Sequence, residues 1–212
     1  MSSTENTFRE SIDKAGQVLT VLDKKREELL IVTREITRKT REAVFAIHRG
    51  DFERSLSALS EAKKLLEELG TFKELFPGLY YGGSTISAQA EYVEAATLYA
   101  LLTSQSPPTI DELKVEPQAY LLGIGDLIGE LRRSILDNLR RDNVSRAWEL
   151  MQIMETIFFE LSKLSFPEAL VPGLRHKIDV ARALIDSTQK DILFSEKSGT
   201  LTRTIQKLLE RQ

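Results

Sequence analysis

An all-α fold follows from three observations. The six prolines (Pro77, Pro107, Pro108, Pro117, Pro167 and Pro172) fall into a few gaps along the 212 residues. Between those gaps apolar residues recur at helical spacing, and no segment shows the strict alternation of a half-buried strand. Residues 1–212 show no internal repeat, low-complexity tract or linker that would divide them. The expected architecture is therefore an elongated stack of about seven antiparallel helices in a single domain.

The first helix is expected over Glu5–His48, a stretch without proline. Ile12, Val18, Leu19, Leu22, Leu29, Leu30, Ile36, Val44 and Ile47 form its apolar stripe, and Gly50 ends it. At ~1.5 Å per residue it would span roughly 65 Å. A compact chain of this length has a radius of gyration of only about 17 Å, so the helix implies an elongated subunit or a surface shared with partners. Further helices are expected at Phe52–Leu69, Ser84–Thr103, Pro117–Arg140, Ser145–Leu164, Glu168–Lys190 and Thr200–Glu210. Asp51 and Pro117 are start signals and Gly70 is a stop, while polar connections occupy Tyr80–Gly83 and Ser104–Glu116.

Composition narrows the chemistry. Hydrophobic residues at 42% and charged residues at 29% describe a folded chain, and there is no cysteine. Thiol nucleophiles, zinc–thiolate centres and iron–sulfur clusters are excluded. No stretch approaches the ~20 apolar residues of a membrane helix, and the N-terminal residues lack the basic and apolar regions of a signal peptide. A cytoplasmic protein without membrane partners is expected. With 29 Lys+Arg against 32 Asp+Glu, the net charge of −3 argues against coating nucleic acid over the whole surface but leaves room for a local basic groove.

Two acidic pairs stand out. Glu91 and Glu94 are three apart on a helix face that continues through Leu98, and Asp126 and Glu130 are four apart in the otherwise apolar Leu122–Leu131. Gly123, Gly125 and Gly129 in that segment lower helix propensity by up to ~1 kcal/mol each, and glycine in a helix often marks close approach by another backbone or a ligand. Brought together, four carboxylates would repel one another and suffer desolvation, which hard divalent cations such as Mg²⁺ or Mn²⁺ relieve. Such ions can activate water against a phosphodiester. Acidic pairs at this spacing also occur on ordinary solvated faces, as with Glu10 and Asp13. A ferritin-like di-iron site needs Glu-x-x-His twice, but Phe45 and Gly173 stand three residues before His48 and His176. Both histidines read as hydrogen-bonded structural residues rather than ligands.

Four segments resemble the translin and translin-associated factor X family: Thr33–Arg49, Glu91–Ala95, Tyr120–Leu131 and Gly173–Asp179. The resemblance implies an all-α subunit of seven helices, assembled into closed octameric shells that bind single-stranded RNA or DNA. Within the family, the associated-factor type carries an Mg²⁺-dependent endoribonuclease, and its acidic motifs match Glu91, Glu94, Asp126 and Glu130. These four are accordingly assigned to metal binding, Mg²⁺ with Mn²⁺ as a substitute, and to water activation. The function implied is a metal-dependent endoribonuclease acting on single-stranded RNA inside a homo-oligomer, most simply an octamer. The alternative is a non-catalytic shell binding single-stranded RNA or DNA.

The chain departs from translin at two places. Leu79–Thr85 carries no positive charge where translin has a basic and aromatic segment, and the nucleotide-binding motif is replaced around Arg140–Arg146, so GTP binding is not carried over. Candidate nucleic-acid contacts are instead Arg34, Arg38, Lys39 and Arg41 on the first helix, with Arg132 and Arg133 after the second acidic pair. Arg34, Arg38 and Arg41 form one ridge that could track phosphates or be an exposed face partly neutralised by Glu35 and Glu42. Tyr80, Tyr81 and Tyr92 could stack unpaired bases or cover a core.

Overall fold

The structure is a computed structural model that describes residues 3–209. It is all-α, with eight helices and no strand among the described residues: α1 (Ser3–His48), α2 (Phe52–Leu75), α3 (Pro77–Tyr80), α4 (Gly83–Leu102), α5 (Ile110–Leu113), α6 (Pro117–Arg140), α7 (Val144–Ser162) and α8 (Leu174–Leu209). None is long and apolar enough to cross a membrane. Six are long; α5 is a single turn inside the expected 104–116 connection, and α3 is a single turn leading into the expected 80–83 connection.

The α1–α2 turn follows the sequence signals closely. Gly50 takes the left-handed conformation at φ +76°, and the Asp51 side chain accepts from the Arg54 amide to cap α2. Gly70 does not stop α2, because Leu69 and Phe72 bury their side chains on either side of it; a cost of about 1 kcal/mol for one glycine is outweighed. The helix ends instead at Phe76, which is held out of helical geometry before Pro77. In the 104–116 connection, Thr109 and Glu112 form a reciprocal capping box that starts α5.

The last helix differs more. Glu168 does not begin it: Pro172 and left-handed Gly173 (φ +87°) fix the start at Leu174. The expected break between Lys190 and Thr200 is absent, since no proline interrupts that stretch, and α8 runs for 36 residues. The end expected at Glu210 lies outside the described residues.

Packing divides the stack into two halves joined at one seam. Helices α1, α2 and α4 enclose Ala43, Ala58, Leu59, Ala62, Val93 and Ala95, where small side chains let helix backbones approach. Helices α6, α7 and α8 enclose Leu127, Leu131, Ile135, Leu150, Met151, Met154 and Ile192. Helices α4 and α6 form the seam, and Gly123 sets its closeness. A Cβ there would lie 2.4 Å from the Ala90 carbonyl oxygen and 2.8 Å from Val93 Cβ.

The N-terminal half of α1 projects beyond this body. Leu29 is its first buried residue, while Phe8, Ile12 and Leu19 each expose more than 60% of their surface. The far end of α8 likewise exposes Phe194, Leu201 and Leu209.

Candidate metal and nucleic-acid site

The α4–α6 seam carries the four carboxylates singled out from sequence. Glu91 and Glu94 project from α4, Asp126 and Glu130 from α6, and all four are partly buried. The other three raise the proton affinity of Glu94, which burial raises most. Its carboxyl is pushed up to about 8, by desolvation first and then by Asp126, Glu130 and Glu91. Lys177 opposes that shift. At neutral pH Glu94 is therefore largely protonated when no added cation balances the cluster.

Its three neighbours each have a cationic or imidazole partner. Lys177 of α8 donates to Asp126 Oδ1, with its stem lying over Gly125, where a Cβ would meet Lys177 Cδ at 3.1 Å. His48, at the end of α1 and 5% exposed in its side chain, donates from Nε2 to Glu130 Oε2. That hydrogen bond holds the Glu130 carboxyl below the usual range, with a smaller contribution from Arg133. Arg41 approaches Glu91 at 3.4 Å. In this arrangement, no three His, Asp or Glu side chains among the described residues converge into a chelating group. The donor chemistry nevertheless suits a hard divalent cation, since all four groups are carboxylates and one of them, Glu94, has no ion-pair partner among the described residues.

Sequence reasoning located the carboxylates but missed Lys177 and the part played by His48. His48 is hydrogen-bonded as expected, to a member of the acidic cluster itself. His176 lies exposed beside Asp126 and Lys177, in a groove between α6 and α8. The available signal for Lys177 was its place in Gly173–Asp179, a stretch that matched the family without any role in the acid arithmetic.

The candidate basic residues separate into distinct environments. Arg34, Arg38 and Arg41 line a groove of about 490 Å³ between α1 and α4, together with Thr37, Ser84 and Ser87, and Glu91 stands at its end. Arg38 is partly neutralised by a bidentate pair with Glu35 at 2.7–3.2 Å, and Lys39 pairs with Glu61 on α2. Arg133 is exposed, 3.9 Å from Glu130. Arg132 turns away, joining α6 to α8 through Ser187 (2.9 Å), Thr188 (2.6 Å) and Asp191 (3.0 Å).

Of the three tyrosines, Tyr81 alone is exposed, at 53%. Tyr92 is buried in the α1–α2–α4 core. Tyr80 is buried in a polar network, donating to Glu116 (3.1 Å) and accepting from Gln89 (3.0 Å).

An all-helical subunit with paired carboxylates at a helix seam, beside a groove lined by arginines, is the class that fold and site define. The translin family model matches residues 24–186, and the chain belongs to the translin family. An uncharacterized protein of Methanocaldococcus jannaschii is 34% identical over 176 residues, covering 81% of this chain and 76% of the relative. The translin-associated protein X homolog of Schizosaccharomyces pombe is 23% identical over 183 residues, 78% of each chain. Among solved structures, AfC3PO in complex with duplex RNA superposes with a TM-score of 0.82 at 32% identity, covering 89% of this chain and 97% of that one. Apo-NeC3PO, at 22% identity and a TM-score of 0.75, covers 92% of this chain and 98% of that one, and shares the fold.

Proposed function

We propose that this protein is an Mg²⁺-dependent endoribonuclease of the cytoplasm, acting on single-stranded RNA within a closed homo-oligomer, most simply an octamer. The observation that carries the reading is the seam itself: four carboxylates of two helices brought to one seam, with Glu94 raised to about 8 by burial first and then by its acidic neighbours. Mg²⁺, or Mn²⁺ in its place, would be held by Glu91, Glu94, Asp126 and Glu130. A hard divalent cation in such a site supplies Lewis acidity toward a phosphodiester and an activated water. The chain's own residues do the rest. Glu94 would give up its proton in a cationic site, His48 keeps Glu130 ionised, Lys177 and His48 orient Asp126 and Glu130, and Arg34, Arg38 and Arg41 lead the strand's phosphates toward Glu91. Lys39, Arg132 and Arg133 belong to the same proposed contact set, with Arg133 the accessible member beside the carboxylates.

Self-association is supported by the many large apolar side chains that α1 and α8 leave exposed, since monomers expose few such surfaces. RNA as the ligand is supported by the similarity to AfC3PO, which was solved with duplex RNA. A second reading is favoured by the present pairing of Asp126 with Lys177 and Glu130 with His48: a shell that binds single-stranded RNA or DNA without cutting it. Incubating labelled single-stranded and duplex RNA with Mg²⁺ separates the two. Cutting of the single strand by the wild type is expected, with loss of cutting in Glu94→Ala and Asp126→Ala oligomers of unchanged size. Binding without metal-dependent cutting would establish the second reading.

A further inference from the structure

A second basic pocket lies on the opposite side of the acidic seam from the α1–α4 groove. It sits where the α1–α2 turn meets the α6–α7 turn, has a volume of about 270 Å³, and is lined by His48, Arg49, Ser134, Asn138, Arg141 and Arg146 among others. Its arginines come from three separate elements: the end of α1, the C-cap of α6 and the first turn of α7. The carboxylate on its wall, Asp137, is paired with Arg140 at 3.2 Å.

The three arginines are not equivalent. Arg146 is committed to the fold, donating to the Leu101 carbonyl at 2.7 Å and pairing with Glu149 at 2.7 Å. Arg49 lies over the Phe45 ring at 5.4 Å, and neither it nor Arg141 contacts a carboxylate among the described residues; both are exposed. In a chain of net charge −3, two guanidiniums left without carboxylate partners at one pocket are a local surplus suited to an anion.

The pocket is also in line with the acidic seam. Asp126, Glu130, Ser134 and Asn138 follow one another on α6 at spacings of four, so they share a face, and the C-cap Arg141 follows three residues on. On α1, Arg34, Arg38, Arg41 and Phe45 do the same, and Arg49 follows directly beyond its end. Glu130 and Arg141 are eleven residues apart, roughly 16 Å along α6 at the helical rise, and His48 forms both the wall of the pocket and the hydrogen-bond partner of Glu130. Basic surface thus flanks the carboxylates on both sides along the same two helices.

We propose that this pocket, through Arg49 and Arg141, is a phosphate-binding subsite for the RNA strand beyond the acidic seam. It deepens the endoribonuclease reading, on which its place along the substrate rests: the α1–α4 groove holds the strand on one side of the carboxylates and this pocket holds a phosphate a few nucleotides away on the other. The phosphate is either an internal diester or the terminal 5′-monoester, and both present anionic non-bridging oxygens to the guanidiniums.

The test is binding of labelled single-stranded oligoribonucleotides to the intact oligomer in EDTA, so that no cutting occurs. Wild type is compared with Arg49→Gln, Arg141→Gln and the double variant, all at exposed positions. The double variant is expected to bind roughly tenfold more weakly, the scale of one lost charge-assisted contact, with its salt slope reduced by about 0.7 per phosphate released. Single methylphosphonate substitutions at each linkage, together with removal of the 5′-phosphate, should find one change that weakens wild-type binding and is silent in the double variant. If removal of the 5′-phosphate reproduces that effect, the occupant is the terminal monoester; if an internal position does, it is a diester.

Unchanged affinity and salt slope in the double variant would overturn the subsite, and so would a sensitive position that stays sensitive. Wild-type binding in EDTA without cutting in Mg²⁺ would overturn the nuclease reading and leave the subsite standing. No binding by the wild type in EDTA would overturn the subsite, and no cutting in Mg²⁺ besides would overturn both.

Discussion

Lys177 reaches Asp126 by crossing the open face of Gly125. The glycine preceding Asp126 has no Cβ to obstruct the lysine stem, so α8 delivers an ammonium to a carboxylate that α6 presents. Lys177 is therefore a resident counter-charge of the acidic cluster, while Glu94, two helices away in the chain, takes the uncompensated share of the repulsion.

That division makes Lys177 a competitor of any added cation. Lys177→Met should tighten Mn²⁺ binding several-fold, read by electron paramagnetic resonance of free Mn²⁺. It should also lower stability without metal by about 0.5–1 kcal/mol, as expected for a half-exposed pair. Weaker Mn²⁺ binding in this variant would show that the lysine supports the site instead of balancing it.

Glu94 gives a pH dependence of definite sign. Its folded carboxyl holds a proton to about 8 against an ordinary value of 4.5, so the folded chain binds more protons than the unfolded chain between those values. Stability without metal must fall as the pH rises through that window. Glu94→Gln removes the ionisation and should raise the melting temperature at pH 9 by about 4–8 °C, or about 2 kcal/mol. The difference should vanish near pH 4. The same variant should cut no RNA, and divalent cations should no longer stabilise it.

Glu130 behaves in the opposite sense. Its folded carboxyl is held low, chiefly by His48, so the pair stabilises the fold above pH 4.5 and that contribution is lost as the pH falls through the depressed value. His48→Phe should destabilise by about 1–3 kcal/mol at pH 7, the cost of leaving a buried polar group unpaired. Acid titrations of the two proteins followed by circular dichroism should converge at low pH.

The glycines of α6 separate packing from propensity. Gly129 has open space around the position of a Cβ, whereas Gly123 has the Ala90 carbonyl oxygen 2.4 Å away. Gly129→Ala should stabilise by about 0.5–1 kcal/mol, and Gly123→Ala should destabilise by about 1–3 kcal/mol by forcing α4 from α6. Chemical denaturation of both variants reads the contrast directly.

Much of this arrangement was legible in the sequence because it is written in helical spacing. The start and end of α6, the turn at Gly50, and the two acidic pairs all follow from local rules. Close approach at Gly123 and Gly125 was legible as a type of event, though not in its partners. What local rules could not supply was contact between residues far apart in the chain. His48 meets Glu130 across 82 positions and Lys177 meets Asp126 across 51, and Arg132 is drawn onto α8 rather than left for a ligand. Gly70 and the 190–200 stretch misled for a related reason: burial and the absence of proline outweighed a weak local stop.

The most direct measurement is anomalous diffraction from crystals soaked in Mn²⁺ at pH 8.5, where Glu94 is largely ionised. A peak between Glu91 and Glu94 of α4 and Asp126 and Glu130 of α6, with Lys177 displaced from Asp126, is the expected result. Ordered carboxylates still paired with Lys177 and His48 at saturating Mn²⁺, with no peak at the seam, would contradict the assignment of this site to metal-dependent RNA cleavage.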